Sequence, residues 1–393
     1  MRSRGIVISG LGIGQIFAWG SSYYLPAVLA QPIVAGTGWP LPWVIGGLSL
    51  GLLVAGLVSP WMGRTIGKRG GRPVLMASTV LLAAGLCLLA LAPSIPVYFA
   101  AWSLIGTGMG AGLYDPAFAT LGRLYGETAR SAITTLTLFG GFASTVCWPV
   151  SAFLVIHLGW RGTCLAYAGF HLTILLPLYY ATLPREAESE PNSAVTVASS
   201  KDTAASGVVG RRLLFVLVAT AITLSAMIST LLSVHLLTIL QSRGVSLAAA
   251  VALGALVGPS QVGARSIEFV IARYHHPIWT KLVATLLVAV GVATLWASLP
   301  LLAMPLILYG AGIGLESIAR GTLPLVLFAG PGYAATMGRL AMPSLIAQAA
   351  APSIGAVLLN LYGVAGTLAA LTVVAAVNFG LTCVIFARLE RRS

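Results

Sequence analysis

Apolar runs of about 20 residues recur twelve times along this chain, and most of the charged residues fall in the stretches between them. As a helix, such a run spans about 30 Å, the hydrocarbon thickness of a bilayer. Hydrocarbon offers no partners for backbone N–H and C=O groups, so each run must bond them internally, and runs twice the length of a barrel strand do so as helices. The runs lie near 6–30, 41–62, 73–93, 96–120, 131–157, 162–183, 213–240, 247–270, 278–298, 300–327, 336–360 and 364–387. Composition agrees: 58% of the 393 residues are hydrophobic and 8% charged, with mean hydropathy +0.95, against roughly 25% charged in an ordinary soluble domain. The expectation is an all-α membrane protein with twelve transmembrane helices. The long polar stretch 184–212, rich in Glu, Ser, Ala and Thr, reads as a cytoplasmic linker between an N-terminal six-helix bundle, 1–183, and a C-terminal one, 213–393. The apolar run after Met1–Arg4 continues to about Ala30, too long for a signal-peptide core, and reads as a retained span.

Charge sets the orientation. Gly63–Pro73 carries Arg64, Lys68, Arg69 and Arg72 between two apolar runs and reads as a very short loop on the cytoplasmic side. Alternation then puts both termini in the cytoplasm, and 18 of the 22 Lys and Arg residues, Lys281 among them, fall in segments assigned to that side. The net charge of +13 is therefore a topology signal. Nothing resembles a groove-reading or base-stacking module, so nucleic acid is not an expected partner. Cys87, Cys147, Cys164 and Cys383 fall in apolar runs without metal-ligand spacing, and no metal or cofactor is expected.

At an offset of 204, Arg69 falls on Arg273, Pro73 on Pro277, Pro96 on Pro300, Gly106, Gly108 and Gly110 on Gly310, Gly312 and Gly314, and Gly159 on Gly363. Such a series implies a duplicated unit in parallel orientation. Transporters built from parallel repeats bind substrate near the midplane at the repeat interface.

These features resemble the major facilitator superfamily over essentially the whole chain. Gly63–Pro73 is similar to that family's loop between spans two and three, Gly-x-x-x-Asp-Arg-x-Gly-Arg-Arg, which implies a gating role for Gly63, Arg64, Lys68 and Arg72. Gly67 stands where the family has Asp, and Trp102 where its fourth-span pattern has Arg, ahead of the matching Gly106, Gly108 and Gly110. Within the superfamily, Tyr114–Phe118, Leu124-Tyr125, Ala132, Gly140, Pro149 and Gly159–Gly162 resemble the monocarboxylate porters and oxalate/formate exchangers. Ala264-Arg265 is similar to the site where those porters carry an Arg for the substrate carboxylate, although their acidic, tryptophan-rich signature in span one is missing. The resemblance implies a major facilitator fold and alternating access.

The polar positions give candidate sites. Gln261, Arg265 and Glu268 share one face of span eight, and a guanidinium matches a carboxylate in planar, two-pronged fashion. The alternative is neutralisation of Arg265 by Glu268, or an Arg265 that reaches the inner surface. Gln15, Trp19 and Tyr23 share a face of span one that suits a small solute, with ordinary packing as the alternative. Glu316 and Asp115 are acids within spans and candidate proton carriers. Their alternatives are a static Glu316–Arg320 pair and an Asp115 contact with a basic residue such as Arg123.

No Walker, zincin or nucleophile-elbow motif occurs, so no enzymatic activity is expected. The expectation is a proton-coupled secondary transporter for a small, anionic, monocarboxylate-like substrate, in contact with membrane lipid, monomeric, in the cell membrane (the inner membrane in a bacterium). Alternatives are proton-antiport efflux of a drug-like or inorganic toxicant, and a non-transporting membrane sensor.

Overall fold

A computed structural model describes residues 3–185, 201–297, 301–330 and 332–391, with backbone alone at 201–209. Most of the expected linker, 186–200, lies outside these residues, as do Arg2 and Arg392. The described chain is helical apart from turns and short connections. Its helices are α1 Arg4–Gly20, α2 Leu25–Thr37, α3 Leu41–Arg69, α4 Gly71–Ala90, α5 Ile95–Gly112, α6 Tyr114–Tyr125, α7 Ala129–Gly141, α8 Ala143–Phe170 and α9 Leu176–Thr182. After the linker come α10 Lys201–Gln241, α11 Leu247–Gly254, α12 Val257–Ile271, α13 Pro277–Trp296, α14 Ala303–Leu327 and α15 Tyr333–Glu390.

Among the described residues, eight stretches, some made of several helices in succession, are long and apolar enough to cross a membrane. Ile95–Thr182, interrupted at Gly126–Thr128 and again at Gly159, divides into three segments of crossing length, and Tyr333–Glu390, interrupted at Gly363, into two. With the 25-residue α14, the described residues hold twelve helical segments of crossing length. Large apolar side chains such as Leu57, Trp61 and Ile156 are left on the outside, as a lipid-facing surface requires.

The long stretches turn at glycine. Gly159 breaks α8 at φ 68°, ψ 175°, and Gly363, 204 residues on, breaks α15 at φ 64°, ψ −171°. Only glycine enters that region without strain, so the internal repeat extends from sequence to backbone conformation.

The chain divides into two compact units, Met1–Ala187 with Leu325–Ala350, and Glu188–Pro324 with Ala351–Ser393. In the first, α5 seats on α3 and α4 through its glycines. A Cβ at Gly106 would lie 2.3 Å from the Gly51 carbonyl oxygen, one at Gly110 2.8 Å from that of Ala55, and one at Gly108 2.8 Å from Leu82. The second unit repeats this: Gly310 and Gly314 meet the backbone of α12 at Val257 and Gln261, and Gly312 meets α13 at Ala284. Trp102, where the resemblance predicts Arg, is buried over Gly47 and Gly51 and acts as a packing residue.

Several expectations need correction. The Gly63–Pro73 loop shrinks to Gly70: α3 runs through Gly63, Arg64 and Lys68 to Arg69, and α4 starts at Gly71, so Arg72 is helical too. Basic residues in the last turn of α3 favour its extension, because they oppose the partial negative charge of the helix C-terminus. Residues 201–212, expected as linker, form the first turns of α10. The first crossing continues to Thr37, past Ala30. Lys281, assigned above to a cytoplasmic segment, lies one turn inside α13 and is 1% exposed.

Candidate functional site

In the first unit the site begins where a helix breaks. Pro116 has no N–H, so the Gly112 carbonyl four residues earlier loses its helical partner, and Leu113 between them is extended. A carbonyl stranded in a membrane protein is costly. Gln15 on α1 supplies the bond, Nε2 to Gly112 O at 2.7 Å, and its Oε1 accepts from Trp19 Nε1 at 3.1 Å. Gln15, expected to offer its amide to a solute, is thus fully buried with both ends of that amide committed to the fold. Gln15→Leu should destabilise the protein by about 1–3 kcal/mol, the usual cost of an orphaned buried acceptor, read as a lowered thermal midpoint in detergent.

What Gln15 holds is an aromatic group. The Trp19 ring lies 5.2 Å from Tyr23 and 5.1 Å from Tyr114, and Tyr114 stacks on Phe118. Tyr24 carries the series to Trp148, 6.2 Å away edge-on. Trp148 borders an apolar groove of about 460 Å³ whose polar lining is Ser144 and Thr145. Trp19, Tyr23, Tyr24 and Tyr114 are each partly exposed, so the group is a wall with an accessible face.

The same unit holds the basic helix end. Arg123 Nη1 donates to the Gly67 carbonyl, so a backbone oxygen receives a cation at the position where the resembling family has Asp. Arg72 donates to Tyr180 O at 3.0 Å and lies over that ring. Gly63 faces the first turns of α15, where a Cβ would lie 2.4 Å from the Ala334 carbonyl oxygen. Arg64 and Lys68 are exposed. Asp115 is 9% exposed and within electrostatic reach of Tyr333.

In the second unit, Arg265 is 5% exposed on α12. Its Nε donates to Gly314 O at 3.3 Å, across the contact that Gly314 makes possible, and its Nη2 to Gln261 Oε1 at 3.5 Å. Glu268, one turn on, accepts from Thr280 Oγ1 at 2.7 Å and lies 3.4 Å from His275 Nε2. Glu316 pairs with Lys281, Nζ to Oε1 at 2.5 Å. Lys281 also donates to Ser225 Oγ at 3.2 Å, and Asn378 Nδ2 donates to the same hydroxyl at 2.8 Å. The structure thus brings Gln261, Arg265 and Glu316 together around one segment of α14, and Gln15, Trp19 and Tyr23 around the break in span four.

Lys281, Ser225 and Asn378 are not among the candidate site residues drawn from the sequence. For Lys281 a signal existed, since Pro277 is a favoured first helical residue and puts position 281 inside the helix it starts. Among the described residues no group of three or more His, Cys, Asp or Glu is arranged to hold a metal.

The model of the Major Facilitator Superfamily matches residues 11–328. Among curated proteins, "Transcription regulatory protein OpdE" of Pseudomonas aeruginosa is 29% identical over 171 residues, 43% of this chain and 42% of that protein. Monocarboxylate transporter 11 of Mus musculus is 33% identical over 129 residues, 32% of this chain and 28% of that protein. The chain therefore matches less than half the length of either relative. Among solved structures, the human organic anion transporter MFSD10 (TETRAN) superposes with TM-score 0.75 at 17% identity, over 97% of this chain and 100% of that one. FucP, in the outward conformation, gives 0.73 at 13% identity over 97% and 99% of the two chains. The proton:xylose symporter XylE gives 0.69 at 14% over 95% and 93%. At these identities the structures speak to the fold, which they share. The chain belongs to the Major Facilitator Superfamily and is a multi-pass membrane protein.

Proposed function

We propose that this transporter carries a small organic anion of the monocarboxylate type together with a proton, by alternating access, in the cell membrane with both termini cytoplasmic. The reading rests on Arg265: a guanidinium almost wholly removed from solvent within a crossing, its plane held by the neutral oxygens of Gln261 and Gly314. A buried cation in a membrane helix is costly to keep, and such groups mark substrate and ion pathways. The planar fork of a guanidinium suits an incoming carboxylate. Gln261, and in the first unit Trp19 and Tyr23 with Gln15 beneath them, are the further residues assigned to substrate binding. Glu316 and Asp115 are the acids assigned to proton movement, and Gly63, Arg64, Lys68 and Arg72 form the gating segment. The name of one curated relative, a monocarboxylate transporter, points the same way.

Isothermal titration of the purified protein with lactate and benzoate tests the site. Arg265→Gln should weaken binding roughly tenfold to a hundredfold, the worth of a charge-assisted hydrogen-bond pair. Arg265→Lys should fall between, because it keeps the charge and loses the planar fork. Equal affinities in all three proteins would remove Arg265 from the site.

One observation favours a second reading, a membrane sensor that binds and does not transport: the relative from Pseudomonas aeruginosa is named a transcription regulatory protein. It predicts the same titration and no flux.

A further inference from the structure

The Lys281–Glu316 pair has features that a merely structural ion pair does not need. Lys281 directs its ammonium at three acceptors, Glu316 Oε1 at 2.5 Å, Ser225 Oγ at 3.2 Å and the Ala221 carbonyl at 3.5 Å. Asn378 braces Ser225 from α15, so α10, α13, α14 and α15 meet at this point. The carboxylate is less well served: Oε2 of Glu316 is shielded from solvent and has no hydrogen-bond partner among the described residues. A charged, shielded oxygen without a donor is a position that a proton would satisfy.

The pair is also tied to Arg265. Glu316 lies two residues beyond Gly314, whose carbonyl accepts from Arg265 Nε. A Cβ at Gly314 would lie 2.5 Å from the Gln261 carbonyl oxygen, and one at Gly312 2.8 Å from that of Ala284 on α13, so α14 is wedged between both neighbours. A shift of α14 that lengthens the Lys281–Glu316 contact therefore moves the carbonyl that orients Arg265.

The geometry points to Glu316 Oε2 as a proton-binding site, with Lys281 as its counter-ion and the Gly314 carbonyl as its mechanical link to the anion held by Arg265. This rests on the reading of Arg265 as the anion site. A proton from the aqueous phase forms an O–H bond at Oε2, the ion pair is lost, and α14 is freed to re-aim Arg265. Release of the proton on the other side restores the pair. Arg320 on α14 acts electrostatically on Lys281, and Thr280, next to Lys281 in sequence, donates to Glu268 on α12, which lies 3.4 Å from His275. The helices α10 and α15 contribute the uncharged Ser225 and Asn378.

Two measurements test this. Infrared difference spectra of the purified full chain between acid and neutral pH need no substrate. The expected result is a protonated-carboxyl band that disappears in Glu316→Gln and moves along the pH axis in Lys281→Gln. Where a single variant does not fold, Lys281→Gln/Glu316→Gln, which leaves no unpaired charge, supplies the comparison. In proteoliposomes this double variant should lose the dependence of lactate exchange on pH that wild type shows, and lactate accumulation driven by a proton gradient should fall by about tenfold or more. Accumulation at the wild-type level, or a carboxyl band unchanged by Glu316→Gln, would overturn the proposal. A Glu316-dependent band in a wild-type protein that exchanges no carboxylate would instead overturn the anion reading while leaving the proton site in place.

Discussion

Replacing Lys281 by methionine should cost about 3–5 kcal/mol of stability, the range for removing one member of a buried ion pair. Lys281 is 1% exposed, and its ammonium is 2.5 Å from Glu316 Oε1. The other carboxylate oxygen is already without a partner among the described residues, so the substitution would leave Glu316 with neither oxygen satisfied by the cation. Changing both residues to methionine should recover most of the loss, since an apolar pair of similar volume avoids desolvating two charges. Unfolding in detergent, followed by circular dichroism for wild type, both single variants and the double, measures the non-additivity. A single-variant loss under about 1 kcal/mol, the worth of a solvated pair, would contradict the burial described here.

A comparably large effect is expected at Gly338. This residue and Gly63 bring α3 and α15 into backbone contact: a Cβ at Gly338 would lie 2.3 Å from the Ser59 carbonyl oxygen and 3.2 Å from Gly63 Cα. Ser59 and Gly63 on one helix, and Ala334 and Gly338 on the other, form two small-xxx-small patterns of the kind that let membrane helices approach closely. Gly338→Leu should therefore destabilise the protein by about 3 kcal/mol or more, at the upper end of overpacking, because the obstructing atoms are backbone and cannot rotate away. Gly67, one turn past Gly63, is the internal control. A Cβ there meets only Ala334 Cβ, at an ordinary 3.9 Å, so Gly67→Ala should be neutral or stabilise α3 by about 0.5–1 kcal/mol. Similar losses from both substitutions would mean that helix propensity, not close approach, governs this face.

The fold was legible because its signals are local and repeated. Runs of about 20 apolar residues leave few alternatives to spanning helices, and the Gly106/Gly310 series marks the same close approaches in both halves of the chain. Helix ends were less legible, since α3 keeps its hydrogen bonds beyond the hydrocarbon and absorbs most of what composition marks as a loop. The site was legible where it depends on one helix face, as for Gln261 with Arg265 or Trp19 with Tyr23. It was not legible where partners come from distant segments. The bond from Gln15 to Gly112 closes 97 residues, and that from Asn378 to Ser225 closes 153. No spacing rule reaches so far, although Pro116 four residues after Gly112 does announce a carbonyl in need of a donor. Lys281 was hidden by the topology argument itself, which counts each cation near a span end as a loop residue.

Flux under an imposed proton gradient bears most directly on the account. Proteoliposomes with an alkaline interior and an acidic exterior would be offered labelled lactate and benzoate. The account predicts that at least one of these anions accumulates above its outside concentration, that a protonophore abolishes this, and that Arg265→Gln does the same. Binding of either anion with no movement across the membrane, or accumulation that survives both the protonophore and the Arg265 substitution, would contradict it.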